Sequence, residues 1–236
     1  MALFTEAAVK ANLRNRDGRR VFYLGREDRL TPGARDYLRS NHIEILPAGQ
    51  AKPQRYQLLS GGEIQDKPEH MTHLDAQTLV PKNHPRIIFR GQVDCLEAEL
   101  LLAQRQAHTE GYGAMVRELG DALEFSRQAL RHDVLNEPMA AFPLGGLTEA
   151  ELRARSHTPQ KYYGQPHFMP DYTQCWTLLA VNRARTTARQ AELACYEAFR
   201  DREGRCSRPD LLQGFNRLSS FLWILEIRLA SGKEKG

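Results

Sequence analysis

The chain has 236 residues, 41% hydrophobic and 26% charged, with a formal charge of +4, the make-up of a folded globular protein and not of a disordered one. No stretch approaches the roughly 18 to 20 consecutive apolar residues that span a bilayer, and the N-terminus lacks an apolar core followed by a small-residue cleavage site. A cytoplasmic protein is expected, with no membrane and no nucleic-acid partner, because the mild charge reads as spread along the chain and suits small anionic ligands better than a phosphate backbone.

Residues 1 to about 80 are rich in turn residues and short on sustained periodicity. The exception is LTPGARDYLRSNHIEIL, where Thr31 caps and Pro32 opens a helix to about Ser40, followed by a short strand at Ile43 to Leu46. This part reads as a small α/β appendage, and AKPQRYQLLSGGEIQDKPEH after it, with Pro, Gly-Gly and charges, as a linker. From about Arg86 the pattern becomes helical. Ile88, Val93, Leu96, Leu100 and Ala103 form one run, and Met115, Leu119, Leu123, Phe125 and Leu130 a second. Thr148 and Glu151 form a capping box at the start of a short helix, and SHTPQKYYGQPHFMPDYTQ reads as a long ordered loop. A helix from about Thr173 to Arg200 carries Ala180, Ala184, Ala188, Ala191, Cys195 and Ala198 near one stripe, which lets a neighbouring helix approach closely. The last helix starts at Ser207 and Pro209 and is largely apolar from Phe221 to Leu229, as in the middle of a bundle. The fold class is therefore mainly α, with 1–80 as appendage and linker and 81–236 as the bundle.

Three arginines stand in RARTTARQAE. On a helix Arg185, Arg189 and Glu192 share one face, whereas Arg183 points about 200° away from Arg185 and faces water. Two readings of the trio stay open: a solvated or salt-bridged face, or guanidiniums converging on a polyphosphate or a buried carboxylate. Asn216 enters an apolar helix and needs a partner, either the backbone of a neighbouring helix or a bound ligand. Asp94 stands among core positions of its helix, where a carboxylate wants a cation, an arginine being the natural one. The four cysteines, Cys95, Cys175, Cys195 and Cys206, are scattered and read as incidental thiols.

KNHPRIIFRGQVD, ARTTARQAE and NRLSS, in that order, resemble motifs of the corrinoid adenosyltransferases of the propanediol-utilisation (PduO) type. RLTPGARDYL, LNEPMAA, GLTEAELRARSH and RPDLLQGFNRLSS extend the resemblance to the ethanolamine-utilisation (EutT) type over nearly the whole chain. The resemblance implies a PduO-like bundle of about five helices and transfer of the 5'-deoxyadenosyl group of ATP to the cobalt of reduced cobalamin, releasing triphosphate, for ethanolamine catabolism. By the same resemblance Arg185, Arg189, Glu192, Asn216, Lys82 and Arg86 bind ATP with Mg²⁺, and Asp94 pairs with Arg185 across a subunit boundary of a homotrimer or homodimer. Phe168, with Tyr163 and His167 behind it, covers the lower face of the corrin. A cellular reductant, an adenosylcobalamin-dependent ammonia-lyase and a bacterial microcompartment are implied as partners and surroundings. The absence of a Ser/His/Asp triad fits chemistry whose nucleophile belongs to the corrinoid.

The chain also departs from the family's pattern. The Gly/Thr-rich nucleotide loop of the propanediol type is missing, Cys95 follows Asp94 where Glu is common, and NRLSS ends in Ser220 instead of Asp. The His and Cys-Cys-x-x-Cys metal cluster of many ethanolamine-type members is absent. His70 and His73 without further soft ligands make a poor metal site, so no metal is expected. The rival reading from another class is a non-catalytic protein that binds the corrinoid for assembly or delivery to a lyase.

Overall fold

The computed structural model describes residues 2–16, 18–50 and 55–232. The chain divides into two compact units, Met1–Arg55 with Ile64–Asp66, and Tyr56–Glu63 with Lys67–Gly236.

In the first unit, strands β1 (Leu3–Phe4), β2 (Arg14–Arg16), β3 (Arg19–Leu24), β4 (Arg29–Leu30) and β5 (Glu44–Pro47) accompany helices α1 (Glu6–Ala11) and α2 (Pro32–Ser40). β1 and β4 pair in parallel, and β3 lies between an antiparallel β2 and a parallel β5. Thr31 Oγ1 accepts from the Ala34 N–H and Pro32 occupies the first turn of α2, as its sequence signals require. α1 has an equivalent cap in Thr5, a signal too short to carry visible periodicity. Val9, Phe22, Leu30, Ala34, Leu38 and Ile43 close a small core. The first 55 residues hold 11 Lys or Arg against 6 Asp or Glu, leaving 22 against 23 in the rest. The positive charge is thus concentrated at the N-terminal end, a correction to its reading as evenly spread.

The linker expectation also changes. Residues 51–54 lie outside the described residues, but β6 (Tyr56–Leu58) and β7 (Glu63–Ile64) follow at once, with β8 (Met71–His73) and β9 (Thr78–Pro81) after them. β9 takes β6 in parallel on one side and β8 antiparallel on the other, long-range pairings that a three-residue strand does not announce locally.

The bundle consists of α3 (Pro85–Thr109), α4 (Gly113–Leu135), α7 (Trp176–Phe199) and α8 (Pro209–Ala230), with α5 (Glu149–His157) as a shorter fifth helix and the brief α6 (Pro159–Tyr163). α3 packs against α7 and α4, α7 against α8, and α8 against α5. Ala184, Ala188, Ala191 and Cys195 are wholly buried in the stripe that permits the close α3–α7 approach, and Ala180 and Ala198 flank it against the same core. Across the bundle Phe89, Phe215, Phe125 and Phe142 meet edge to face in sequence, centroids 5.3 to 5.9 Å apart. Gly214 makes room for that ladder, since a Cβ there would lie 2.7 Å from Phe125 Cζ. The segment expected as one long loop is partly helical: α5 runs on to His157, and Pro159 opens α6, which Gly164 ends at φ 74°.

Candidate functional site

α7 begins at Trp176 and not at Thr173, because its cap comes from another helix. Glu110, at the end of α3, accepts from the Trp176 and Thr177 N–H groups at 3.2 and 3.0 Å and from Thr177 Oγ1 at 2.6 Å. The carboxylate satisfies two of the free amides and meets the positive end of the helix dipole. Partial burial pulls its pKa upward, but the bonds from Thr177 outweigh this and hold it below the usual carboxylate range. With its start fixed, α7 presents Asn182, Arg185 and Arg189 along one face.

On α8, Ser219, Trp223 and Glu226 also share a face. Between the two faces, walled by the end of α5 and residues 167–170, lies a cavity of about 490 Å³ lined by Arg185, Arg189, Trp223, Phe168 and His167 among others. The Trp223 indole is its centre. The His167 ring stacks on it at 5.8 Å and 7°, Phe168 at 5.3 Å and 22°, and the Arg185 guanidinium carbon lies 5.6 Å from its centroid. His167 Nε2 is 3.3 Å from the His157 carbonyl, to which it donates.

Arg185 donates from Nε to Glu226 Oε1 at 2.8 Å and from Nη2 to Asn182 Oδ1 at 2.7 Å. Glu226 is fully buried, and its Oε2 has no hydrogen-bond partner among the described residues. Burial pushes its carboxyl up to about 7, against the opposing pull of Arg185. Arg189 is exposed on the cavity wall and makes no hydrogen bond or ion pair among the described residues. A free guanidinium beside an aromatic stack suits a ligand that joins a flat apolar body to an anion.

The structure therefore gathers Arg185, Arg189, His167 and Phe168 into one cavity and distributes the other candidates elsewhere. Glu192 accepts from Asn216 Nδ2 at 2.8 Å, and Arg217 donates to Asn216 Oδ1, so the Asn216 amide is satisfied between α7 and α8. Arg86 is held at the far end of α7: its Nε donates at 2.9 Å to the buried Asp133, and its guanidinium lies over Phe199, about 20 Å along the helix from Arg185. Lys82 forms an exposed pair with Glu69 at 2.9 Å. Tyr163 packs on the bundle core and bonds Arg155 outside the cavity lining. Asp94 is exposed and not among core positions, because it lies a full 100° around α3 from the buried Val93. Arg183 is exposed as expected, paired with Glu99 at 2.8 Å. Among the described residues no group of three His, Cys, Asp or Glu has metal-binding geometry. Sequence reasoning missed Trp223 and Glu226; the signal available was an acidic residue inside an otherwise apolar helical run.

The structure is thus an α-helical bundle with an aromatic and guanidinium cavity between α7 and α8, and its class follows from comparison. The chain belongs to the cobalamin adenosyltransferase family, whose model matches residues 64–229. The corrinoid adenosyltransferase EutT of Escherichia coli K12 is 28% identical over 94% of this chain and 90% of its own length, and that of Salmonella typhimurium LT2 is 29% identical over the same shares. A solved variant of a PduO-type ATP:corrinoid adenosyltransferase from Lactobacillus reuteri, complexed with cobalamin and ATP, aligns with a TM-score of 0.49 at 17% identity, covering 77% of this chain and 91% of that one.

Proposed function

We propose that the chain is an ATP:cob(I)alamin adenosyltransferase of the ethanolamine-utilisation type, and that the cavity between α7 and α8 is its transfer site. The observation that carries this reading is the unpartnered Arg189 guanidinium beside the Trp223 stack, inside the stretch that matches the family. Reduced cobalt attacks C5' of ATP: the Co–C bond forms, the C5'–O bond breaks, and its electron pair leaves on triphosphate as Co(I) becomes Co(III). Arg189 meets the charge developing on that leaving group. Phe168, backed by Trp223 and His167, supplies the apolar face that keeps an axial ligand off the lower side of the corrin, which eases reduction from the Co(II) state by a cellular reductant. The cavity lining holds no carboxylate, so Mg²⁺ would enter on the phosphates of ATP, with Arg189 meeting the triphosphate beside it.

A homo-oligomer, trimer or dimer, forms part of this proposal. The exposed Ile88, Gly91, Cys95, Ala98 and Leu102 recur at helical spacing on α3 with Asp94 beside them, which supports that face as the contact that brings Asp94 to a neighbouring subunit. An ammonia-lyase that consumes the product, within a microcompartment, completes the reading. The test is anaerobic: ATP and Mg²⁺ are added to chemically reduced cobalamin, and the expected outcome is the adenosylcobalamin spectrum. A folded protein that converts none of it overturns the proposal.

A further inference from the structure

We propose that Glu226 is a positioning residue of the transfer site, whose buried carboxylate orients the Arg185 guanidinium against Trp223 and withholds its charge from an anionic ligand until the carboxylate takes up a proton. The inference rests on the reading of the cavity as the adenosyl-transfer site.

Three features converge on it. Glu226 holds Nε of Arg185 at 2.8 Å while Asn182 holds Nη2, so the plane of the guanidinium is fixed from two sides with its carbon over the indole. The carboxylate is fully buried and has spent only one oxygen, since Oε2 finds no donor. No carboxylate lines the cavity itself. Within one chain, two arginines one turn apart therefore present one net positive charge while Glu226 is ionised, that of Arg189, and two when it is protonated; the partner subunit's Asp94 beside Arg185 would lower both counts by one and leave that difference unchanged.

Burial places the proton exchange of Glu226 at about 7. Above that pH the ion pair is formed, and below it Arg185 keeps its charge unmatched. Arg185 on α7 is the charged group that meets Glu226. Elsewhere around α8, Glu118 on α4 is engaged with Arg228, Arg155 on α5 with Glu151, and Lys161 on α6 with the Tyr162 ring, while His157 and His167 face the cavity.

The test measures binding of inorganic triphosphate by calorimetry to the full chain and to Glu226→Gln, near pH 6 and near pH 8.5. Glutamine keeps an acceptor for Arg185 Nε and removes the charge. At the higher pH the variant is expected to bind about tenfold tighter than wild type, the effect of one extra charge at close range in a partly desolvated site. Near pH 6 the two should agree within about twofold. Comparing the two proteins at each pH cancels the ionisation of triphosphate and of the cavity histidines. Arg185→Gln gives the complementary result: little loss at the higher pH, where the charge is masked, and about tenfold loss at the lower. A merely structural Glu226 would move the melting temperature and leave both ratios independent of pH. Adenosylation is measured on the same wild-type preparation. Activity with pH-independent ratios overturns the role of Glu226 alone; absence of both activity and triphosphate binding overturns it together with the site reading.

Discussion

Arg185 and Arg189 stand one turn apart on the same face of α7, yet their surroundings give them different work. Arg185 is tied to Glu226 and Asn182, whereas Arg189 makes no hydrogen bond or ion pair among the described residues. Replacing Arg189 by Ala should therefore raise the ATP concentration for half-maximal adenosylation about tenfold or more, the cost of one charge-assisted hydrogen bond. Thermal unfolding should barely move, since an exposed side chain without partners contributes within about 0.5 kcal/mol; a melting-temperature loss in proportion to the activity loss would contradict the assignment. Helical spacing alone picked out the arginine pair and Glu192, because the period of 3.6 is written in the sequence. It left Trp223 and Glu226 unmarked, because on a helix buried nearly all round no period tells which face meets α7. The Asn216 question had a structural answer: Glu192, one of the residues placed at the ATP site, is its partner.

At the level of elements, the fold is held at a second polar centre remote from the cavity. Asp133, wholly buried near the end of α4, accepts from Arg86 Nε at 2.9 Å and Arg90 Nε at 2.6 Å, and Arg90 also donates to the Leu74 carbonyl at 2.8 Å. The Asp133 carboxylate thus binds α4 to α3, and Arg90, held by it, binds α3 to the β8–β9 turn. Asp133→Ala leaves two largely buried guanidiniums unmatched and should cost about 3–5 kcal/mol, read by denaturant unfolding; a loss below about 1 kcal/mol would show the arginines finding other partners or water. Element boundaries were legible where a cap is local: Thr31 with Pro32, and Thr148 with Glu151, lie where their spacing put them. The α7 start was not, since its cap, Glu110, is 66 residues upstream of Trp176. Pro159 and Gly164 did mark α6, but a helix of five residues is shorter than any periodicity can register.

For the molecule as a whole, the outward apolar stripe of α3 is where the proposed homo-oligomer contact is tested. Leu102→Glu sets a charge at the C-terminal end of that stripe, on its most exposed apolar side chain, without touching the core, where Leu100 and Ala103 point. The expected result is dissociation to a smaller species by light scattering, with helical content retained; an unchanged mass would remove α3 from the contact. The mainly α class was legible because long helices repeat their pattern several times over. Pairings such as Gln57 with Thr78 were not, as they join residues that are distant in the chain and have too few members to show alternation. The lopsided charge noted in the first 55 residues has a colloidal consequence. Residues 56–236, with 22 basic against 23 acidic side chains, have almost no mutual repulsion to keep copies of the chain apart. The arginine-rich N-terminal stretch therefore supplies nearly all of the chain's electrostatic solubility, whatever else it does.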